Sequence, residues 1–227
     1  MDTALEYTYD TNEPGCERLL FLYNVEYVRS IKKTGTKHRY DFSAHHQKKW
    51  TIEHINAQNV EGLNTKEQWL IWLKSHLGVL GSRVQDGKNK NEEDQLKELT
   101  RRVRELIDKL ERSGQSKSSD LRNEFSKLSN EIVEKINDVY GIKDLHELSN
   151  LALLDGSANS VLNNSIFRVK QNKIIEEMKQ GNFIPSATQA VFLRLFSMEE
   201  QDHLYWTAND RKAYLGDIKE KLTYLLG

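Results

Sequence analysis

A single cysteine, Cys16, among 227 residues excludes an intramolecular disulfide and the paired-cysteine zinc knuckles that staple many small domains. Any core must therefore be held by apolar packing. Only two prolines, Pro14 and Pro185, are present, so long helices elsewhere go uninterrupted. No apolar run approaches the ~18 residues of a membrane span, and the opening Met1-Asp-Thr-Ala-Leu-Glu is no signal peptide, so no membrane partner and a cytoplasmic location are expected. No Walker-type glycine-lysine loop occurs. Charge of one sign is also missing: the net value is -1, which does not announce nucleic-acid binding, since phosphate neutralisation supplies much of the affinity of such domains.

Charged residues are nonetheless abundant, at 30% against 37% hydrophobic, and unevenly placed. Arg29, Lys32, Lys33, Lys37, His38, Arg39, Lys48 and Lys49 crowd one segment, and Arg168, Lys170 and Lys173 another. Either cluster is ordinary solvated charge or a strip facing phosphate, and their position beside the residues considered below favours the strip.

Periodicity predicts a helix over Glu17–Ser30, then short strands at Tyr40–Phe42 and Trp50–Ile55 joined by a basic loop. Lys66–Leu80 reads as a helix with Trp69, Trp72, Leu73 and Leu77 facing inward. Gly81 and the polar run 85–91 read as a loop. Leu96, Leu99, Val103, Leu106 and Leu110 recur at alternating three and four residues, and Leu121, Phe125, Leu128, Ile132 and Ile136 continue the stripe on a returning helix. Core packing is the ordinary meaning of such a hairpin, and a homodimer seam the alternative. Helices are expected over Ala158–Lys179, ended by Gly181, and over Thr188–Phe196 and Ala208–Leu226.

The chemistry-bearing residues form a split signature. Trp50-Thr-Ile-Glu53-His54-Ile55 lies upstream, and Asn150-Leu-Ala-Leu-Leu, Asn159 and Phe167-x-x-Lys170 lie far downstream. A histidine with an ordinary pKa near ~6.5 accepts a proton from water at neutral pH, and a carboxylate is a hard ligand for Mg²⁺ or Mn²⁺. Adjacent strand residues point to opposite faces, so Glu53 and His54 share a site only if the strand ends or bends there. Asn56-Ala-Gln-Asn supplies such an exit. Asn150 stands at the entry to a buried run. Asn159, nine positions on, opens a helix, where its side chain either caps the helix or binds a cation. Phe167 reads as core, and Lys170 as a residue that reaches phosphate.

These stretches, with Asn182-Phe-Ile-Pro-Ser-Ala-Thr, Trp206, Asp210 and Tyr214, resemble the HNH nuclease module of the GmrSD-type restriction family, a ββα-metal fold. The resemblance covers most of the chain outside about residues 65 to 140. It implies an α+β, predominantly helical fold: a small ββα-metal core with a long inserted helical hairpin and C-terminal helices. Residues 1–64 would carry Glu53-His54, 65–140 the insertion, and 141–227 the rest of the core. It implies a DNA endonuclease, the effector of a bacterial restriction or anti-phage system, with His54 as general base and Asn150 holding its loop. Glu53 and Asn159 would ligate one divalent ion, Mg²⁺ or Mn²⁺, and Lys170, Arg168 and Lys49 would meet the substrate. It also implies an N-terminal nucleotide-dependent domain or partner subunit. Ala57 replaces the proline common in related sequences, and the insertion is longer than in compact members. A non-catalytic helical interaction module on the same scaffold, or a nuclease directed at RNA, are the alternatives.

Overall fold

The computed structural model describes residues 5–31, 39–47, 49–58, 60, 62–83, 90–113, 119–139, 142–156, 165–196 and 205–226. Its first helix, α1 (Tyr9–Ser30), starts earlier than the apolar stripe predicts. Asn12 leaves helical geometry at φ -153°, and its Oδ1 accepts the Gly15 N–H at 3.0 Å, which is N-cap behaviour. Pro14 then falls in the first turn, where its missing N–H costs nothing.

The strand expected at Tyr40–Phe42 is instead the approach to a short helix, α2 (Phe42–His46). Asp41 caps it by accepting the Ala44 N–H at 2.8 Å, and this local bond outweighs three residues of alternation. Trp50–His54 does form a strand, β1, but its partner is β2 (Leu151–Asp155), not the neighbouring segment. The pair is antiparallel, with Trp50 opposite Asp155 and His54 opposite Leu151. Every residue of β2 is buried, which explains its unbroken apolar run.

Between the strands lie α3 (Lys66–Arg83), α4 (Lys90–Arg112) and α5 (Ser119–Val139). Gly81 does not end α3, and α4 begins inside the expected polar loop. Leu99, Val103, Leu106 and Leu110 meet Trp69, Trp72, Leu73, Phe125, Leu128 and Ile132 in one core, so the stripe is consumed within the chain rather than offered to a second copy. Arg102 pairs with both oxygens of Glu131 at 2.6 and 2.8 Å across the outside of α4 and α5.

After β2 come α6 (Phe167–Lys179), α7 (Ser186–Phe192) and α8 (Ala208–Leu226). Gly181, at φ +79°, ends α6 as expected: its N–H reaches the Met178 carbonyl and the Asn182 N–H that of Glu177. Arg194 takes the same left-handed position after α7 at φ 56°. A side chain is strained there, and Arg194 is held by bonds to the buried Asp210 carboxylate, from Nη2 at 2.8 and 3.0 Å and from Nε at 3.4 Å. A second core joins α1, both strands and α6 to α8. The architecture is thus mostly helical with one small antiparallel sheet. Among the described residues no helix is long and apolar enough to cross a membrane.

Candidate functional site

His54 is the last residue of β1, half-buried, and the chain turns sharply after it. Asn150, fully buried in the 3-10 turn that enters β2, controls that turn. Its Oδ1 accepts the Asn56 N–H at 2.9 Å, its Nδ2 donates to the Asn56 carbonyl at 3.2 Å and to the Leu145 carbonyl at 2.8 Å, and its own carbonyl accepts the Ile55 N–H at 2.8 Å. One side chain therefore fixes the loop just beyond His54 by bonding both the N–H and the carbonyl of a single residue, Asn56.

Other elements complete the clamp. Asn56 exchanges side-chain bonds with the Trp206 backbone, accepting at 3.1 Å and donating at 2.7 Å, and the Trp206 indole N–H reaches the Ser149 carbonyl at 3.0 Å. From the helical insertion, Asn137 donates to the Ala57 carbonyl at 3.0 Å, and Asn130 accepts the Val60 N–H at 2.8 Å. The exit from β1 is thus tied to the entry of β2, to the segment before α8 and to α5.

Glu53 points to the opposite face from His54, as alternation demands. Its side chain is 7% exposed and forms an ion pair with Lys170, whose own side chain is 1% exposed and also donates to the His54 carbonyl. Burial lifts the Glu53 carboxyl above the usual carboxylate range, while Lys170 pulls it the other way. Two expectations change here. Lys170 is not placed to meet a substrate phosphate, because its ammonium is buried and spent on Glu53 and the strand. Glu53, with its carboxylate enclosed against Lys170, does not fit a ligand to a divalent ion.

Asn159, the other expected ligand, lies outside the described residues, and among those described no group of three or more His, Cys, Asp or Glu side chains could hold a metal. Arg168 sits two residues before Lys170, on the other side of α6, half-buried and bonded to Gln171. Lys49 is exposed at the start of β1, about 16 Å along extended chain from His54. Of the expected basic strip, Arg29 pairs with Glu26 and Lys173 with Glu177, and Arg39 and Lys49 are exposed. Lys32, Lys33, Lys37, His38 and Lys48 lie outside the described residues.

Two residues that sequence reading passed over close around His54. The Nδ1 of His146 is 3.2 Å from the Nε2 of His54. The Tyr9 ring lies edge-on to His54 with centroids 4.8 Å apart. The only signal for His146 was its place four residues before Asn150. Burial, then Lys170 and His146, push the His54 imidazole down to about 4. It is therefore neutral near pH 7, with a lone pair available to accept a proton. No family model, curated protein or solved structure matches the chain.

Proposed function

We propose that this chain is a phosphodiester-hydrolysing domain of HNH type, acting on DNA, with His54 as general base. The carrying observation is the placement of a half-buried neutral histidine at a strand end, with the next peptide clamped by the buried Asn150. A general base must be held in place and must be unprotonated before substrate arrives; the clamped loop and the lowered pKa of His54 support this role. An approaching phosphate carries negative charge, which favours the protonated imidazole and raises its basicity when it is needed. His54 takes a proton from water, the oxygen bonds to phosphorus, and the bond to the 3′ oxygen breaks, leaving a 5′-phosphate. The 3′ oxygenate takes its proton from solvent.

Asn150 acts by holding the loop, and Glu53 with Lys170 by fixing the strand beneath it. Mg²⁺ or Mn²⁺, implied by the resemblance, would supply charge stabilisation at the phosphate, but Glu53 is not a fitting donor for it. The near-neutral net charge supports reliance on a partner domain or subunit for DNA engagement, as in a restriction or anti-phage effector. The mutual enclosure of Glu53 and Lys170 favours a second reading, a scaffold that binds without cutting.

Plasmid cleavage by the purified chain, with Mg²⁺ or Mn²⁺ against EDTA, separates the two. Metal-dependent nicking that falls ~10²-fold or more in His54→Ala is the expected result. Cleavage at an unchanged rate in that variant removes His54 as the base.

A further inference from the structure

His146 occupies a more constrained position than a surface histidine needs. Both ring nitrogens are engaged: Nδ1 lies 3.2 Å from the Nε2 of His54, and Nε2 lies 3.0 Å from the side-chain amide of Gln58. Its ring face is stacked on Tyr9 at 11° with centroids 5.9 Å apart. Its carbonyl accepts the Tyr9 N–H at 2.8 Å, and the next residue, Glu147, bridges to Thr8. The start of α1 therefore holds the backbone of His146 while Tyr9 touches both imidazoles. Gln58 is exposed, so the three side chains form a line from half-buried His54 to the surface.

We infer that His146 is a positioning residue for His54, fixing which of its ring nitrogens carries the proton. A neutral imidazole has one N–H and one lone pair, and its partner decides which is which. The line has two consistent directions. In one, the Gln58 amide N–H donates to His146, whose Nδ1–H donates to His54, leaving His54 protonated at Nδ1. In the other, His54 Nε2–H donates to His146 Nδ1, and His146 Nε2–H donates to the Gln58 amide oxygen. Rotating the Gln58 amide exchanges its nitrogen and oxygen without moving the line.

Only the second direction leaves a lone pair on Nδ1 of His54, the nitrogen with no hydrogen-bond partner among the described residues, and it is the one we assign. The choice of this tautomer and the use of its lone pair as a base both rest on the phosphodiesterase reading; that the His146 ring selects one tautomer rests on the geometry alone. In the reaction the water proton goes to Nδ1 as the phosphorus–oxygen bond forms and the 3′ bond breaks, and the Nε2 proton remains shared with His146. Such outer partners typically change activity by ~10–100-fold when removed.

The test uses the full chain with ¹⁵N-labelled histidine and long-range imidazole ¹H–¹⁵N correlation, assigned with His54→Ala and His146→Ala. His54 is expected as the Nε2–H form in the wild type and as a mixture in His146→Ala. His146→Asn, whose Oδ1 can replace Nδ1 as acceptor, should restore the Nε2–H form, and cleavage should fall ~10–100-fold in the alanine variant and recover in the asparagine variant. An Nδ1–H form in the wild type overturns the assignment without any variant. So does a His54 tautomer that is the same with and without the His146 ring. Tautomers as expected in a chain that cuts nothing, alone or with its partner domain supplied, would leave the positioning role standing and remove the phosphodiesterase reading instead.

Discussion

The bundle of α3, α4 and α5 draws its apolar core from one stretch of chain, Ala57 to Ile136, with Ile166 and the partly buried Val169 added from outside. The core beneath the strand pair draws from Leu5 through Leu222. Their polar contents differ as well. The bundle buries few polar side chains, His76, Thr100 and Ser129 among them, and keeps its ion pairs on the outside. The strand core buries Asn24, Glu53, Asn56, Asn150, Lys170, Gln171, Thr188, Arg194 and Asp210. Apolar contacts are tolerant of small shifts, whereas buried polar groups demand their partners at fixed distances. The bundle is thus specified by pattern, and the candidate site by individual bonds between distant residues.

The sharpest way to break this contrast is to orphan one buried charge. Lys170→Met should cost about 3–5 kcal/mol in denaturant unfolding, because Glu53 is left enclosed without its counter-ion. Adding Glu53→Leu should recover most of that loss. A single variant as stable as wild type would show that the pair does not hold the strand. In the bundle the corresponding change is Leu106→Ala, at a fully buried position, expected to cost about 3 kcal/mol through lost transfer energy and a cavity. Its signature should be confined: histidine ring resonances of His54 and His146 should stay where they were. If they move, the two cores are not independent.

The smallest expected effect is that of acid. Burial chiefly pushes His54 down to about 4 and His76 down to about 3, so both are neutral in the folded chain, while in the unfolded chain they titrate near 6.5. Below pH 6.5 the unfolded state binds protons that the folded state refuses, so stability falls with falling pH until the folded groups titrate too. Between pH 7 and 5 each should remove roughly 1–2 kcal/mol, read from the urea midpoint. His76→Gln should flatten that slope by about half, and an unaltered slope would show that His76 titrates normally.

The same contrast explains what was legible in the sequence. The bundle helices follow from stripes at three- and four-residue spacing, whereas the apolar run of β2 reads as buried without reading as a strand. Gly181 marks the end of α6 for a reason visible in one residue. The Asp41 cap was equally local, and three alternating residues concealed it. Asn150 stands out at the entry to a buried run, but its bonds to Asn56 and Leu145 could not be read from the sequence. His146 could not be read, because its meaning comes from His54, 92 residues away. Lys170 was misjudged for a related reason: it shares the buried face of α6 with Phe167, but the carboxylate that accepts its charge there, Glu53, is remote in the sequence.

The separation of the two strands also bears on how the chain is made. His54 pairs with Leu151, 151 minus 54 or 97 positions later. At translation rates of roughly 5–20 residues per second, β1 waits on the order of 5–20 s for its partner. During that interval α3, α4 and α5 can assemble from contiguous chain and draw the two strand positions together. Lys170 and Trp206 arrive later still, so the histidine loop is seated only after residue 206 has emerged.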